Sequence, residues 1–444
     1  MRALVIGSGG REHAILWALK RTSKVPLELY CAPGNGGISQ VAECLAISVE
    51  DHSALIGFAR SREIDLTIVG PEGPLAAGIV DEFERAGLRI VGPSRAASRL
   101  ESSKAFAKDF MLRHKIPTAD YTVASSAADA MSSLGSGRFG PPDSPVVVKA
   151  DGLAAGKGVV VARSRAEAER AVSDLSGGAL VSPDAVKQIL IEEALQGREV
   201  SVLLFADGSD YSLMPPARDH KRAGEADTGP NTGGMGAITD SSLLDKEMLE
   251  RIVSEVVEPT LNGAQQEGFP FRGILFVGLM LTPNGPRVLE YNVRFGDPET
   301  QAILVRLESD LFQVFRAIAE GTLRNTSVEW SEQSSACVVL ASGGYPGSYV
   351  AGVPIAGLER VAANDNEERL QVFHAGTSVS DGGALVTSGG RVLGITATGA
   401  TLKWALDRCY SAVERISWQG MQFRRDIGQF KEMLGAHEVG TTTR

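Results

Sequence analysis

The residues best suited to chemistry in this sequence include two lysines within an early hairpin pattern. Between Pro145 and Val161, two valine-rich stretches flank a loop of small residues, which predicts a β-hairpin. Lys149 and Lys157 could neutralise phosphates there, and a structural hairpin with incidental lysines is the alternative. A lysine at a buried strand end is costly without an anion, which favours a nucleotide site. The glycines that would let this loop approach phosphates are Gly152, Gly156 and Gly158.

Two oxygen-bearing side chains lie far downstream, at Glu290 and Asn292. The sequence from Arg287 to Tyr291 reads as a strand, so these two side chains share one face and Tyr291 takes the other. Two oxygen ligands suit Mg²⁺ or Mn²⁺, which takes its remaining ligands from water and ATP phosphates. A solvent-facing polar edge is the alternative. Because the strand runs straight into Arg294 and a polar turn, we expect a metal site.

The segment from Asp219 to Ala237 carries both charge signs, a hydroxyl, an amide and several glycines, with little apolar content. Its glycines disfavour helix and strand interiors, so we expect a loop. Long polar loops in compact domains are either functional or without defined structure. The mixed charges suit a site for phosphate and ammonium groups, and a solvated lid without chemistry is an equal alternative.

The stretch from Gln188 to Val202 predicts a strand, a short connector and a second strand. Such a connector can offer backbone donors and acceptors to the edge of an adenine ring, while Glu199 could hold ribose hydroxyls. Any two strands can be joined in this way, so the pattern alone is weak.

The elements that would position these residues begin with a βα-repeat unit in the first hundred residues. Continuous apolar runs predict buried parallel strands, and glycine-rich or polar loops follow them, which suggests a binding crevice at the carboxyl edge of the sheet. The expected strands are Ala3–Ile6, Leu27–Cys31, Leu66–Val69 and Ile90–Val91, and the expected helices are Glu12–Leu19 and Pro74–Ala86.

The first loop, Gly7-x-Gly9-x-x-Glu12, lacks the third glycine of a dinucleotide-binding fingerprint. Backbone N–H groups at the start of the following helix could hold a phosphate, or the loop could be only a tight turn. We favour a monophosphate, since Glu12 would repel a larger polyanion.

A second unit begins near Ser102 with a helix expected at Lys104–Leu112, and its segment Ser132–Ser144 reads as an exposed turn. The region from Glu332 onwards shows no catalytic set, and His374 is more readily structural than a substrate contact. We expect this region to close the nucleotide site from one side. The further expected elements are strands Gly273–Leu281, Ala336–Ser342, Leu370–His374 and Val392–Thr398, and helix Leu402–Ile416.

Composition limits the class of protein. A chain of 444 residues should hold two to four domains, and 43% hydrophobic and 22% charged residues are ordinary for a globular protein. The net charge of −10 argues against a nucleic-acid partner, and no apolar run is long enough to span a bilayer. The cysteines are far apart, so we expect buried thiols in a reducing cytoplasm at Cys31, Cys44, Cys337 and Cys409.

Taken together, these motifs resemble those of an ATP-grasp ligase and, within that superfamily, those of the phosphoribosylamine–glycine ligase family. The resemblance is carried by Gly7–His13, Val148–Val159, Asp219–Arg222, Thr228–Ala237, Asn292–Glu299 and Phe373–Thr377. Val293 departs from the family pattern, in which a cysteine is often found.

The resemblance implies an α/β and α+β multidomain fold. It comprises an N-terminal parallel-sheet βα domain (1–103), an ATP-grasp core (104–331) with a mobile lid subdomain (about 121–193), and a small mixed C-terminal domain (332–444). It also implies that ATP, glycine and 5-phosphoribosylamine give glycinamide ribonucleotide, ADP and phosphate through a glycyl phosphate, with Mg or Mn. We expect a cytoplasmic monomer without a membrane partner.

The resemblance also assigns residue roles. Lys104 and Lys149 would hold ATP phosphates under the 152–158 loop, and Glu290 and Asn292 would hold metal. The adenine would be framed by Glu192, Glu193, Ala194 and Leu195, and the ribose held by Glu199. The catalytic set would be Arg294, Asp219 and Lys221. The remaining substrate contacts would be Gly9, Gly10, Asn35, Gly36, Thr232, Gly233, Gly296, Asp297 and Glu299.

Three alternatives are weighed against this hypothesis. A purine-pathway carboxylase of the same superfamily would share the lysine hairpin and the metal strand but lack the motifs at 219–222 and 228–237. A nicotinamide-dependent oxidoreductase would explain only the first domain. A nucleotide sensor would lose a metal or acceptor residue, and the sequence shows no such loss.

Overall fold

A parallel sheet forms the beginning of the chain in the computed structural model, which describes residues 1–154, 158–178, 188–362 and 369–430. Its spatial order is β3-β2-β1-β4-β5, with Ala3 of the central strand, which is buried from Ala3 to Gly7, paired to Leu29 and Leu66. The predicted βα-repeat unit is confirmed. The elements are β1 (Arg2–Gly7), α1 (Gly10–Thr22), β2 (Glu28–Pro33), β3 (Glu43–Cys44), α2 (His52–Ser61), β4 (Leu66–Val69), α3 (Glu72–Ala77), α4 (Ile79–Arg85) and β5 (Ile90–Val91).

The single helix expected at Pro74–Ala86 is wrong, because two helices occupy this stretch. Gly78 ends α3 with a left-handed backbone (φ +96°), a conformation that glycine adopts without steric cost, and α4 begins directly after it.

A four-stranded antiparallel sheet follows, in the order β6-β9-β7-β8. The predicted hairpin is confirmed, since Val146 pairs with Ala162 and Lys149 with Val159. The exposed turn expected at Ser132–Ser144 is wrong in its first part, because Ala130 and Leu134 are buried on one face of a helix that continues to Gly135. The elements are α5 (Arg99–Ser102), α6 (Lys104–Arg113), β6 (Tyr121–Ala124), α7 (Ala127–Gly135), β7 (Val146–Ala150), β8 (Val159–Ala162), α8 (Arg165–Ser176) and β9 (Ile189–Glu193).

A nine-stranded sheet runs through the second half of the chain in the order β17-β16-β10-β12-β15-β18-β22-β19, with β11 paired to β10. Its strands are β10 (Arg198–Asp207), β11 (Tyr211–Leu213), β12 (Ala217–Asp219), β15 (Gly236–Thr239), β16 (Arg272–Thr282), β17 (Gly285–Asn292), β18 (Ser334–Ala341), β19 (Leu370–His374) and β22 (Arg391–Gly399). Strand β15 lies before residue 331 and β18 lies after residue 332, and the two strands pair with each other. The sheet therefore continues across the boundary expected between the ATP-grasp core and the C-terminal domain.

Two short ribbons project from this sheet, β13 (Arg222–Gly224) with β14 (Thr228–Asn231), and β20 (Thr377–Val379) with β21 (Leu385–Thr387). The loop expected at Asp219–Ala237 is therefore wrong in part. A two-stranded ribbon is held by backbone hydrogen bonds, and strands this short can carry polar residues and glycines.

Helices pack on both sides of the large sheet, and buried residues of the five-stranded parallel sheet and of the nine-stranded sheet share hydrophobic clusters. Within the described part of the chain, no helix has the length and apolarity to cross a membrane. The remaining helices are α9 (Lys246–Ile252), a π turn (Val253–Val257), α10 (Glu258–Gln266), α11 (Glu299–Leu304), α12 (Leu311–Glu320), α13 (Leu358–Ala362) and α14 (Leu402–Val413). Short 3₁₀ turns lie at Ile38–Gln40, Glu225–Asp227, Ser241–Leu243 and Leu323–Asn325.

The cysteines differ from expectation at one position. All four are free, and three of them are buried, but Cys44 is only half-buried and lies on the wall of a cavity.

Candidate active site

Two cavities adjoin where three parts of the chain meet. These are the N-terminal region with the five-stranded sheet, the middle of the chain from α6 to α11, and the C-terminal region from β18 onwards. The central cavity, about 480 Å³, lies between the four-stranded sheet (β6 to β9) and strand β17, and it brings Lys149 and Glu290 together. The N-terminal cavity, about 660 Å³, lies between the first sheet and the C-terminal region. Asp297 and Arg391 line both cavities. The predicted residues that line the central cavity are Lys104, Lys149, Gly158, Glu192, Asp219, Lys221, Thr232, Gly233, Glu290, Asn292, Arg294, Gly296, Asp297 and Glu299.

The lysine end of the central cavity is organised around one carboxylate. Glu192 Oε2 lies 2.9 Å from Lys149 Nζ and 2.9 Å from Lys108 Nζ, and Glu192 Oε1 is buried without a hydrogen-bond partner. Lys149 also donates to the carbonyl of Leu289 at 3.1 Å. Burial lowers the pKa of Lys108 to about 8, partly opposed by Glu192. This end therefore concentrates positive charge beside an unsatisfied acceptor.

The position of Lys104 follows from how α6 begins. Ser103 caps the helix by accepting from Phe106 N at 3.1 Å, and Asp151 accepts from Ser103 Oγ at 3.0 Å. Lys104 Nζ then donates to the carbonyl of Gly152 at 3.2 Å, so the helix start is tied to the loop after β7. Gly156 and Lys157 of that loop lie outside the described residues.

Glu290 and Asn292 share the cavity face of β17, as predicted, while Tyr291 is buried on the other face and shares a 2.7 Å hydrogen bond with Thr260. Glu290 Oε1 lies 3.7 Å from Lys221 Nζ. Burial alone would raise the pKa of Glu290, but Lys221, Lys149 and Lys104 outweigh it and hold that pKa below its ordinary value. Glu290 is thus an ionised carboxylate facing the cavity.

Arg294 joins the β17 strand to the N-terminal region. Its guanidinium lies 2.8 Å from Glu101 Oε1 and 3.3 Å from Glu72 Oε2, and it donates to Asn292 Oδ1 at 3.1 Å. Burial would lower the pKa of Arg294, but the two glutamates raise it well above its ordinary value. The cation is therefore permanently charged and held in one orientation.

The polar segment from Asp219 onwards is cross-linked at its base. Thr232 N and Oγ1 both donate to the carbonyl of Lys221, at 2.7 and 2.9 Å. Lys221 Nζ lies 3.4 Å from Glu199, whose carboxylate raises the pKa of Lys221 well above its ordinary value against the effect of burial. Burial raises the pKa of Glu299 to about 8, and the nearby Asp219 adds to the shift. The segment thus places the charged ammonium of Lys221 near the protonatable carboxyl of Glu299, which begins α11.

Of the four residues expected to frame the adenine ring, Glu192 lines the central cavity. Among the described residues, the wall of the central cavity does not include Glu193, Ala194, Leu195 or Glu199. It also does not include Gly152, although the next residue, Leu153, lines it.

The N-terminal cavity contains Gly9, Asn35 and Gly36 from the loops after β1 and β2. Asn35 Nδ2 donates to the carbonyls of Ser8 and His374, at 2.8 and 2.9 Å, and its Oδ1 accepts from Gly37 N at 2.9 Å. One amide side chain therefore fixes both loops against the C-terminal region.

The first loop differs from its prediction. Glu12 is buried, accepts from Gly9 N at 2.6 Å and lies 2.6 Å from Arg11 Nε. One backbone N–H at this helix start, that of Gly9, is thus already bonded, and the charge of Glu12 is paired with Arg11. Gly10 is buried behind the cavity wall, where a Cβ would lie 2.6 Å from Gln301 Nε2.

The C-terminal region lies mainly on the N-terminal cavity, through Ala375–Val379 and Ser388–Gly389, and it reaches the central cavity through Arg391. His374 is buried, and its backbone N–H donates to His13 Nδ1 at 2.9 Å, which is a structural contact.

Sequence reasoning missed several wall residues of the central cavity. Lys108, Glu72 and Glu101 lie on helices whose local pattern only predicts packing, and Arg391 begins a strand. The one available signal was the Gly389-Gly390 pair before Arg391, which marks a close approach of backbone and side chains.

Comparison with known proteins gives a match along most of the chain. The family models of phosphoribosylglycinamide synthetase match as an N domain at residues 1–101, an ATP-grasp (A) domain at 102–300 and a C domain at 335–430. The chain is 47% identical over 428 residues to a phosphoribosylamine–glycine ligase of Brucella melitensis, covering 96% of this chain and 97% of that protein. It is 48% identical over 427 residues to one of Rhodopirellula baltica, covering 96% of each.

Solved structures give a consistent result. The crystal structure of a phosphoribosylamine–glycine ligase from Thermotoga maritima superposes with a TM-score of 0.81 at 33% identity, over 96% of this chain and 100% of that one. An ADP complex of N5-carboxyaminoimidazole ribonucleotide synthetase has a TM-score of 0.65 at 16% identity, over 93% of this chain and 96% of that one, which is a likeness of fold alone.

Proposed function

The chain belongs to the phosphoribosylglycinamide synthetase family, and on that premise we propose that it joins glycine to 5-phosphoribosylamine through a glycyl phosphate. It is an ATP-dependent carbon–nitrogen ligase that forms ADP in purine biosynthesis. The observation that supports the mechanism most strongly is that Lys149 and Glu290, from distant parts of the chain, line one cavity. That cavity meets a second one at Asp297 and Arg391.

The chemistry explains why two adjoining cavities are useful. A carboxylate is a poor electrophile, so transfer of the γ-phosphoryl group of ATP to glycine first makes an acyl phosphate. The amine of phosphoribosylamine then attacks the carbonyl carbon, the C–O bond to phosphate breaks, and the nitrogen loses a proton. Positioning and charge stabilisation supply most of the catalysis in such transfers, and no protein nucleophile is needed.

We assign the nucleotide to the central cavity. Lys104 and Lys149 neutralise its phosphates, with Gly158 in the same wall and Lys104 bonded to the carbonyl of Gly152. The unsatisfied Glu192 Oε1 accepts a hydrogen bond from the base, beside Glu193, Ala194 and Leu195. Glu199 holds the ribose.

We assign the metal to Glu290 and Asn292, and Mg²⁺ or Mn²⁺ fits their oxygen chemistry. Glu290 is ionised and faces the cavity, and Asn292 Oδ1 accepts one hydrogen bond and keeps a second lone pair. No group of three or more His, Cys, Asp or Glu side chains suited to a metal occurs among the described residues. The other ligands would therefore be ATP oxygens and water. A bound metal would neutralise charge on the transferred phosphoryl group.

We assign Arg294 to the charge that develops during phosphoryl transfer, since its guanidinium is fixed beside the metal strand. Asp219 and Lys221 orient the glycine, with Thr232, Gly296 and Glu299 completing the wall, while Gly233 lies beside Arg391 at the boundary with the N-terminal cavity. Glu299 in its ionised form can take the proton that the attacking amine loses.

We assign phosphoribosylamine to the N-terminal cavity, where Gly9, Asn35 and Gly36 form one side. Gly10 shapes this wall from behind. Asp297 lines both cavities, so the amine held in one can meet the acyl phosphate formed in the other.

We further propose the division into domains at 1–103, 104–331 with a lid at about 121–193, and 332–444, and that the protein is a cytoplasmic monomer. The four-stranded sheet supports the proposed bounds of the lid, because its strands extend from Tyr121 to Glu193.

Phosphate release tests the proposed reaction. With ATP and Mg²⁺, glycine plus phosphoribosylamine should give continuous release, and omission of either substrate should abolish steady turnover. Hydroxylamine in place of phosphoribosylamine should trap the intermediate as glycine hydroxamate. Release that is independent of glycine would contradict the proposal.

A further inference from the structure

The wall between the two cavities is held by the C-terminal region through both backbone polar groups of one residue, Gly233. The N–H of Gly233 donates to Tyr345 Oη at 3.0 Å, and the carbonyl of Gly233 accepts from Arg391 Nη1. Arg391 also donates to the carbonyl of Asp297 at 2.6 Å, and its guanidinium lies 3.5 Å from the Asp297 carboxylate. Two side chains of the C-terminal region thus fix the loops that carry Gly233 and Asp297, which separate the two cavities.

Two glycines make this grip possible. A Cβ on Gly233 would lie 2.9 Å from Arg391 Cζ, so the guanidinium passes directly over the backbone there. A Cβ on Gly390 would lie 2.3 Å from Tyr345 Cδ2, so the tyrosine ring packs flat on the chain just before Arg391. Both contacts need a residue without a side chain, and neither is required by the pairing of β22 with β18.

The turn that carries Tyr345 is itself fixed. Ser342 N donates to the carbonyl of Gly390 at 2.8 Å, and Gln422 Nε2 donates to the carbonyl of Tyr345 at 2.7 Å. The hydroxyl of Tyr345 is therefore presented to Gly233 from a rigid support. Tyr345 is not among the described residues that line either cavity, so it acts through Gly233 and not on a ligand.

We propose that Tyr345 and Arg391 are positioning residues for the amine-transfer step. They hold Gly233 and Asp297 so that the distance between the reacting groups in the two cavities stays fixed. This inference rests on the proposed function. The glycyl phosphate forms within the central cavity alone, whereas the attack by the amine depends on the distance across the wall. Small displacements between reacting groups cost large factors in rate. Loosening the wall should therefore slow the second step and spare the first.

The test compares two reactions of the full-length enzyme. Glycine hydroxamate formed from ATP, glycine and hydroxylamine reports the first step, because a small nucleophile needs no wall. Glycinamide ribonucleotide formed from phosphoribosylamine reports both steps. The variants are Tyr345→Phe, which removes one oxygen, and Arg391→Lys, which keeps the charge but loses the planar fork. Tyr349→Phe is the matched control, because this tyrosine follows the turn that carries Tyr345 and is 42% exposed.

In Tyr345→Phe, kcat for ligation should fall about tenfold, as expected for one lost hydrogen bond, while hydroxamate formation stays within about twofold of the wild type. Arg391→Lys should show the same split with a larger loss, and Tyr349→Phe should match the wild type in both reactions. This pattern supports the inference.

Three results would overturn it: an equal fall in both reactions, no change in either, or a raised KM for phosphoribosylamine at unchanged kcat. The last would mean that these groups grip the substrate directly. Wild-type enzyme that forms neither product would instead overturn the proposed function, and this inference with it.

Discussion

Replacement of Arg294 by methionine tests how the β17 strand is tied to the N-terminal region. The guanidinium lies 2.8 Å from Glu101 Oε1, and the two side chains are only 17% and 7% exposed. Removing one partner of a buried ion pair costs about 3–5 kcal/mol, because the other charge is left uncompensated. For a unit of 150–250 residues, this corresponds to a fall in Tm of roughly 6–20 °C.

The loss should depend on pH. Burial raises the pKa of Glu101, and Arg294 opposes the increase, so its removal should raise that pKa further. A carboxyl whose pKa is higher in the folded than in the unfolded chain is destabilising once the pH exceeds the unfolded value, and the penalty grows until the pH passes the folded value. The Tm deficit of Arg294→Met should therefore be larger at pH 8 than at pH 5.

Differential scanning calorimetry of a double-mutant cycle measures this coupling. Glu101→Gln placed in the Arg294→Met background should restore more than half of the lost Tm, because it removes the stranded charge. Arg316→Met is the control, since Arg316 lies 4.0 Å from Glu320 in an exposed pair and should contribute about 0–1 kcal/mol. A double variant whose deficit equals the sum of the two single deficits would refute the reasoning.

Turnover separates the structural role of Arg294 from its chemical role. Loss of a preorganised charge that stabilises a transition state lowers kcat by about 10²–10³. Glu101→Gln should restore the stability of Arg294→Met but not its kcat at saturating substrates. Recovery of both would show that Arg294 serves only the fold.

Three further outcomes are expected. Burial raises the pKa of Glu299 from 4.5 to about 8, so its ionisation increasingly destabilises the wild type as the pH rises between those values. Glu299→Gln should therefore raise Tm relative to the wild type more at pH 9 than at pH 5. An equal gain in Tm at both pH values, measured by calorimetry, contradicts this. Glu290→Ala should raise the metal concentration for half-maximal activity by at least the roughly 10–100-fold that losing an outer-shell partner costs, and an unchanged metal titration refutes the assignment. Asn35→Ala removes the hydrogen bonds to Ser8 and His374, so KM for phosphoribosylamine should rise about tenfold while glycine hydroxamate formation is unchanged; parallel losses in both assays would count against a separate cavity.

Much of the fold was readable from local patterns. The strand Leu66–Val69 and the hairpin of Val146–Ala150 with Val159–Ala162 follow from β-branched runs bounded by glycine and polar residues. The errors fall where local rules compete. Gly78 divides one apolar periodicity into two helices, and the ribbon of Arg222–Gly224 with Thr228–Asn231 forms from residues with low strand propensity because backbone pairing holds it.

The sequence by itself determined most of the elements, put Lys149 at a strand end and placed Glu290 and Asn292 on one strand face, because periodicity and turn chemistry depend on near neighbours. Only the tertiary structure decided which of these faces meet. Arg294 reaches Glu72 and Glu101, and Tyr345 reaches Gly233, through packing between segments far apart in the chain, and no local pattern encodes such contacts.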